Sequence, residues 1–223
     1  MIHPEQQRRA YLQAMGIDVW LPRDAPEPVI SASVEAPGSM GWNELRECVT
    51  HCTRCELAQS RTNTVFGVGN PDAEWLIIGE APGAEEDRRG EPFVGRAGTL
   101  LDEMLRAIGQ SRDSVFIANI LKCRPPNNRD PRPEEAAACR RYLERQIELV
   151  QPKIILAVGR IAAQNLLGSN EPVGRMRGRP HDFGGIPLVV TYHPAYLLRS
   201  PSQKAKSWSD LCLATRLAAE CDT

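Results

Sequence analysis

The feature that most constrains the fold is a regular alternation of short apolar runs with segments of helical spacing. The runs occupy residues 75–78, 115–121, 154–158 and 188–191, and the helical segments occupy residues 100–108, 133–150, 161–167 and 203–219. Strands that alternate with helices form parallel sheets that are covered by helices on both faces. The alternation therefore predicts an α/β fold of three layers, α/β/α, around a four-stranded parallel sheet.

The region before the first run has a different character. Residues 24–41 are rich in proline and glycine and contain few large apolar side chains, which is typical of a linker. We therefore expect residues 1–41 to be a flexible N-terminal peptide and linker, with a short helix over Gln6–Met15. The main domain is expected over residues 42–223, beginning near Trp42.

Positive charge is concentrated in one part of a chain that is nearly neutral as a whole. The chain has 27 basic and 28 acidic residues, yet residues 172–206 carry six basic residues and the single acid Asp182. This stretch is either a solvated face or an edge that contacts phosphate groups.

No apolar run approaches the roughly 20 residues of a membrane span, and no export signal is evident. We expect a cytoplasmic monomer that does not enter a membrane.

Four of the seven cysteines form a recognisable pattern. Cys52 and Cys55 form a Cys-x-x-Cys pair, and Cys123 and Cys139 follow with fifteen residues between them. Four thiolates from two distant segments suit tetrahedral zinc and a [4Fe–4S] cluster equally well. A redox pair and ordinary buried cysteines remain alternatives at this point. The other cysteines are interpreted as packing or surface thiols.

An acidic, glycine-rich loop follows the first apolar run. Glu80, Glu85, Glu86 and Asp87 offer carboxylates that can position a water or stabilise a developing cation, although Glu86 and Asp87 also suit a helix cap. Glu85 and Asp87 are interpreted as solvated turn acids. Phe93, further along the same loop, is either a core residue or a plate on which a base stacks.

Two further polar residues lie at the ends of predicted strands. Asn119 interrupts an apolar strand, so it is either a satisfied amide or a group that reads an imide edge through one donor and one acceptor. His193 precedes Pro194 and can hydrogen-bond a leaving oxyanion. Because the carboxyl ends of parallel strands share one edge of a sheet, we expect these side chains to meet there.

Three segments in this order, GEAPGAEEDRRGEPFVGRAGTLLDEML, NILKCRPPNNRDPRPEE and HPAYLLR, closely resemble the family 4 uracil-DNA glycosylases of bacteria and archaea. The similarity runs from about Cys52 to Leu213. It implies a glycosylase-like fold and hydrolysis of the N-glycosidic bond of deoxyuridine in DNA, which leaves an abasic site. It also implies a [4Fe–4S] cluster with a structural role. The ligands would be Cys52, Cys55, Cys123 and Cys139.

The resemblance also assigns roles to site residues. Phe93 would stack on uracil, Asn119 would read its O4 and N3–H, and His193 would stabilise the leaving base together with backbone amides of the Glu80-Ala81 loop. Related families carry an aspartate where Ala81 stands, so Glu80 is the first candidate for placing water and Glu86 the second.

The resemblance and the basic stretch together predict a DNA-contacting surface. Tyr196, Leu197 and Arg199 would enter or brace the minor groove where the base leaves it. The basic residues of the stretch would form a DNA-facing edge; they are Arg175, Arg177, Arg179, Arg199, Lys204 and Lys206.

The segment YLQAMGIDVWLPR at the start of the chain is similar to the start of the psi subunit of the bacterial replicase clamp loader. The similarity implies that this peptide docks on a clamp-loader subunit, with Trp20 as its aromatic anchor. It also leads to a second hypothesis, in which the chain is a replisome interaction protein built on a glycosylase fold, with or without residual activity.

Overall fold

The structure is a computed structural model, and it describes Met15 and residues 37–220. In these residues six strands form one mixed sheet with the order β1-β3-β2-β4-β6-β5. The strands are β1 (Val68–Gly69), β2 (Trp75–Gly79), β3 (Phe116–Asn119), β4 (Ile154–Val158), β5 (Pro180–Phe183) and β6 (Ile186–Thr191).

The four central strands run parallel, as the sequence predicts. Ile77 of β2, for example, lies between Ile117 of β3 and Leu156 of β4. β1 and β5 add an antiparallel strand at each edge, and the prediction of four strands missed them. β1 has two residues, and β5 begins with Pro180 and alternates exposed with half-buried side chains. Neither has the continuous apolar run that marks a buried strand.

The helices lie between and after the strands. Over residues 37–220 they are α1 (Trp42–Thr50), α2 (Leu57–Ser60), α3 (Ala84–Arg89), α4 (Arg96–Arg106), α5 (Pro133–Val150), α6 (Arg160–Leu167), α7 (Val173–Met176), α8 (Pro194–Arg199) and α9 (Lys204–Glu220). Three short 3-10 helices span Pro37–Ser39, Pro126–Asn128 and Pro201–Gln203. In this part of the chain no helix has both the length and the apolar character that crossing a membrane requires.

Helices cover both faces of the sheet because successive side chains of each strand point to opposite sides. Leu76, Phe116 and Leu188 belong to one core cluster, which α1, α5 and α6 cover. Ile77 and Val189 belong to a second cluster under α4, α8 and α9. The predicted three-layer arrangement is confirmed.

The residues just before Trp42 belong to the same compact unit as the residues that follow it. The chain divides into two compact units, Met1–Glu35 and Ala36–Thr223. Met40 is buried, and its main-chain oxygen accepts a hydrogen bond from Arg145 Nε of α5 at 2.8 Å. The second unit therefore includes residues that the prediction assigned to the linker. The helix predicted over Gln6–Met15 lies, apart from Met15, outside the described residues.

Candidate active site

The carboxyl ends of the four parallel strands meet at one edge of the sheet, where a cleft of about 790 Å³ opens. Glu80 and Ala81 follow β2, Asn119 ends β3, Gly159 follows β4 and His193 follows β6. All five residues line the cleft. Open parallel sheets bind ligands at this edge. The structure thus brings together the polar residues that the sequence places at strand ends.

Phe93 and Asn119 form the floor of the cleft, over Gly79. Phe93 is 7% exposed and Asn119 is 3% exposed. A Cβ atom on Gly79 would lie 2.4 Å from Asn119 Oδ1 and 2.7 Å from Phe93 Cζ. The missing side chain at Gly79 therefore allows the amide and the ring to sit side by side. An aromatic ring can stack on a planar base, and an amide beside that ring can hydrogen-bond to the edge of the base.

The side-chain amide of Asn119 forms no hydrogen bond with any described residue, although the residue as a whole is buried. Its main-chain oxygen accepts a hydrogen bond from Lys122 Nζ at 2.9 Å, which fixes the backbone. Buried polar groups normally have a partner. An unpaired amide on the cleft floor is therefore available to a ligand that offers both a donor and an acceptor.

His193 is held in one orientation and is neutral. Its Nδ1 accepts a hydrogen bond from the main-chain N–H of Ala195 at 3.1 Å, so the ring proton resides on Nε2. The ring stacks on Phe93 with the centroids 5.6 Å apart. Burial lowers the pKa of His193 to about 4, and the charge of Arg199 acts in the same direction. At neutral pH the ring is therefore a hydrogen-bond donor without a positive charge.

The carboxyl group of Glu80 at the cleft has a shifted pKa. Burial raises the pKa of Glu80 from 4.5 to about 7; the negative charge of Asp130 also raises it, and the positive charge of Arg160 lowers it. No described residue hydrogen-bonds to this carboxylate. A group with a pKa near the working pH is well matched to accept a proton from water.

Glu86 is tied to the protein backbone. Its Oε2 accepts a hydrogen bond from the N–H of Gly83 at 3.1 Å, and its Oε1 accepts from Val94 at 3.0 Å and Gly95 at 3.3 Å. The side chain thereby joins the start of α3 to the start of α4. Ala81 packs against the core and also lines the cleft, where its polar groups are those of the backbone.

Tyr196, Leu197 and Arg199 lie on α8. Tyr196 and Arg199 line the cleft. Leu197 is 1% exposed and packs in the core, whereas the neighbouring Leu198 is 37% exposed. The prediction that Leu197 enters the minor groove is therefore wrong, because inserting it into DNA would require unpacking the core. Leu198 is the leucine of this helix that faces outward.

The basic stretch contains one arginine with a structural role. Arg177 forms two hydrogen bonds to the fully buried Asp210 carboxylate at 2.7 and 2.9 Å, and it donates to the main-chain oxygen of Lys206 at 2.6 Å. The prediction that Arg177 contacts DNA is corrected, because its Nε and Nη2 groups are engaged inside the protein. The other basic residues of the stretch are exposed, namely Arg175, Arg179, Arg199, Lys204 and Lys206.

The four patterned cysteines come together around one small cavity. They are Cys52, Cys55, Cys123 and Cys139. Arg61 Nη1 donates to Cys123 Sγ at 3.2 Å, and the main-chain N–H of Lys122 donates to Cys139 Sγ at 3.3 Å. Hydrogen bonds of this kind stabilise metal-bound thiolates. Over the described residues, no group of three or more cysteine, histidine or acidic side chains forms a site for a single metal ion.

An ion pair at the rim of the cleft was missed by the sequence analysis. Arg160 Nη2 pairs with Asp130 Oδ2, and both residues line the cleft. Arg160 begins α6 directly after β4. The expectation that ligand-binding residues follow the carboxyl ends of parallel strands, which indicated Glu80 and His193, therefore applies to Arg160 as well. Asp130 lies in the loop between β3 and α5, and its sequence neighbours carry no comparable signal.

Comparison with known proteins agrees with this architecture. Residues 66–214 match the family model of the Uracil DNA glycosylase superfamily. The chain is 48% identical over 162 residues to the type-4 uracil-DNA glycosylase of Thermotoga maritima, an alignment that covers 72% of this chain and 84% of that protein.

Further relatives define the subgroup. The type-4 uracil-DNA glycosylase of Archaeoglobus fulgidus is 44% identical over 170 residues, covering 73% of this chain and 85% of the relative. The type-5 uracil-DNA glycosylase of Thermus thermophilus is 33% identical over 195 residues, covering 77% and 86%. The chain therefore belongs to the uracil DNA glycosylase superfamily and, within it, to the type-4 uracil-DNA glycosylases.

Proposed function

We propose that this protein excises uracil from DNA by hydrolysing the N-glycosidic bond of deoxyuridine, which leaves an abasic site. The observation that carries the proposal is the unpaired amide of the buried residue Asn119 beside the ring of Phe93 on the cleft floor. The names of the type-4 relatives support the same activity. A base stacked in a duplex is out of reach of such a floor, so the nucleotide must be flipped out of the helix or already be single-stranded.

The cleft floor recognises the base. The uracil ring stacks on Phe93, and the side chain of Asn119 donates to O4 and accepts from N3–H. Cytosine presents an amino donor and an unprotonated N3 at these positions, so both contacts are lost for it. Leaving buried polar groups unpaired is what makes this kind of discrimination strong.

His193 stabilises the leaving base. When the bond between C1′ and N1 breaks, its electron pair passes to the uracil ring and creates negative charge shared by N1 and the carbonyl oxygens. The Nε2–H of the neutral imidazole donates to that charge, as do main-chain N–H groups of the Glu80-Ala81 loop. A neutral donor needs no proton uptake from solvent before the reaction.

Glu80 positions the attacking water. Its carboxylate has no hydrogen-bond partner among the described residues, whereas both oxygens of Glu86 accept main-chain N–H groups. We therefore assign the water to Glu80. The water oxygen forms the new bond to C1′, and Glu80 accepts the proton that the water loses.

Residues at the rim of the cleft hold the DNA. Arg199 lines the cleft, and Arg175 follows Gly174, which also lines it. Both arginines are exposed, and they are proposed to contact phosphate groups. Tyr196 braces the strand, and Leu198 fills the space that the flipped nucleotide leaves.

The four cysteines around the small cavity are proposed to bind a [4Fe–4S] cluster. Such a cluster is held by four cysteine thiolates, which fits the four thiols that line one cavity. The cluster would join the segment after α1 to β3 and α5. Its role is structural, and no step of the reaction passes through it.

The test is release of uracil from a single-stranded oligonucleotide that contains one deoxyuridine, without added metal or nucleotide. We expect free uracil and a strand that alkali cleaves at the abasic site. Asn119→Ala should lower the single-turnover rate by two orders of magnitude or more, as about 3 kcal/mol for the lost contacts implies. Absence of product with stoichiometric protein of full iron content would refute the proposed activity.

We also propose that the N-terminal peptide binds a clamp-loader subunit, a proposal that rests on its similarity to the psi subunit. Deleting residues 1–25 should abolish binding to that subunit and leave uracil release from short oligonucleotides unchanged. Trp20→Ala should weaken binding by more than about 2 kcal/mol if this side chain is the anchor. A truncated protein that loses its excision rate would show that the peptide belongs to the catalytic domain.

A further inference from the structure

Phe93 has an unusual backbone conformation for an aromatic residue. Its φ angle is 54°, in the left-handed region. The other described non-glycine residues with positive φ are Asn127, Asn128 and Gln151. Asparagine tolerates this region, but for a bulky residue it is a genuine outlier that persists only where surrounding contacts enforce it. The neighbours of Phe93 must therefore hold it in place.

Arg112 supplies contacts of this kind. It lies in the loop between α4 and β3, nineteen positions after Phe93. Its Nη1 donates to the main-chain oxygen of Phe93 at 3.2 Å, and its Nη2 donates to that of Pro92 at 2.6 Å. Nη1 also lies 3.0 Å from Asp102 Oδ1 of α4. One guanidinium thus bridges two consecutive carbonyl groups and a carboxylate.

The backbone of α4 also packs closely against Phe93. A Cβ atom on Gly98 would lie 1.7 Å from the main-chain oxygen of Phe93. The carbonyl group of Phe93 therefore rests directly against the backbone of α4. At the other end of the residue, the ring extends over Gly79 to the cleft floor.

We infer that Arg112, oriented by Asp102, is a positioning residue that fixes the Phe93 ring in the plane on which uracil stacks. The inference rests on the proposed function. The fork of a guanidinium is required because a lysine ammonium cannot present two parallel N–H groups in a fixed plane. Arg112 is not among the residues that line the cleft, and it acts through the backbone of Phe93.

The test is a double-mutant cycle measured by single-turnover uracil release. Arg112→Lys should slow the wild-type protein about tenfold, because stacking on a displaced ring is weaker. In a Phe93→Ala background the same substitution should have no further effect, because the ring that it positions is absent. Asp102→Asn should show the same dependence on Phe93 with a smaller loss.

Arg106→Lys is the matched control. Arg106 is an exposed arginine of α4 that pairs with Glu103 at 2.8 Å, and its replacement should leave the rate unchanged. Affinity for an oligonucleotide with an abasic site, which has no base to stack, should be unaffected by Arg112→Lys. Equal rate losses in the presence and absence of the Phe93 ring, or a parallel loss of abasic-site affinity, would overturn the inference. An inactive wild-type protein would instead refute the proposed function.

Discussion

The raised pKa of Glu80 predicts a specific pH dependence of uracil release. The carboxyl has a pKa of about 7, and only its ionised form can accept a proton from water. The ionised fraction is about one tenth at pH 6 and about nine tenths at pH 8. The single-turnover rate should therefore rise almost tenfold between these values. His193 does not contribute to this rise, because its pKa of about 4 keeps it neutral throughout.

Two charged neighbours allow the assignment to be tested. Removing the negative charge in Asp130→Asn should lower the pKa of Glu80 and move the acid limb of the profile to lower pH. Removing the positive charge in Arg160→Gln should raise that pKa and move the limb to higher pH. The two residues form one ion pair, so both substitutions disturb the same local contact. Opposite shifts therefore separate an electrostatic effect from a structural one.

The assay is the pH profile of single-turnover release from a single-stranded oligonucleotide, for the wild type and the three variants. Glu80→Gln should be slow at every pH and should lose the acid limb. Shifts of the two neighbouring variants in the same direction would show that the charges do not act through Glu80. A persistent limb in Glu80→Gln would assign the water to another group, with Glu86 the next candidate.

Further predictions concern the DNA surface and the cysteines. Leu198→Ala should weaken binding of uracil-containing duplex with little change in the melting temperature of the protein. Leu197→Ala should cost about 2–5 kcal/mol of unfolding free energy, because it leaves a core cavity. The opposite pattern in DNA binding and thermal melts would restore Leu197 as the residue that enters the minor groove. Arg175→Ala should lower the salt slope of DNA affinity by about one. Arg177→Ala should mainly destabilise the fold, because it leaves the buried Asp210 carboxylate without its cationic partner; a lower salt slope for Arg177→Ala with an unchanged melting temperature would contradict this division. Anaerobically purified protein should contain about four iron atoms per chain, and Cys123→Ala should lose them; stoichiometric zinc in place of iron would count against the cluster.

The site could be predicted from the sequence where its position depends on strand ends. Glu80, Asn119 and His193 each lie at or just after the end of an apolar run, and the parallel sheet brings such positions to one edge. The cysteines could be grouped for a similar reason, because their spacing was recognisable without any knowledge of the loops between them. For the strand-end residues a short local pattern and one topological rule were sufficient. For the cysteines the spacing grouped the residues, and the resemblance to the family implied the cluster.

Burial that depends on packing between distant segments could not be predicted from the sequence. Leu197 and Leu198 are adjacent and chemically identical, and only the docking of α8 against the sheet decides which one enters the core. Arg177 belongs to a cluster of basic residues along the chain, yet its partner Asp210 lies 33 positions away on another helix. A count of charges in a window cannot detect such a pairing.

Gly79 shows how closely the fold and the site depend on each other. As the last residue of β2 it pairs in register with Asn119 of β3, and its φ angle is not positive. Glycine is therefore not required there for its conformational freedom. It is required for space, because a Cβ atom would collide with both the Asn119 amide and the Phe93 ring. The position that ends the strand is thus also the position that leaves room for the amide and the ring to receive a base.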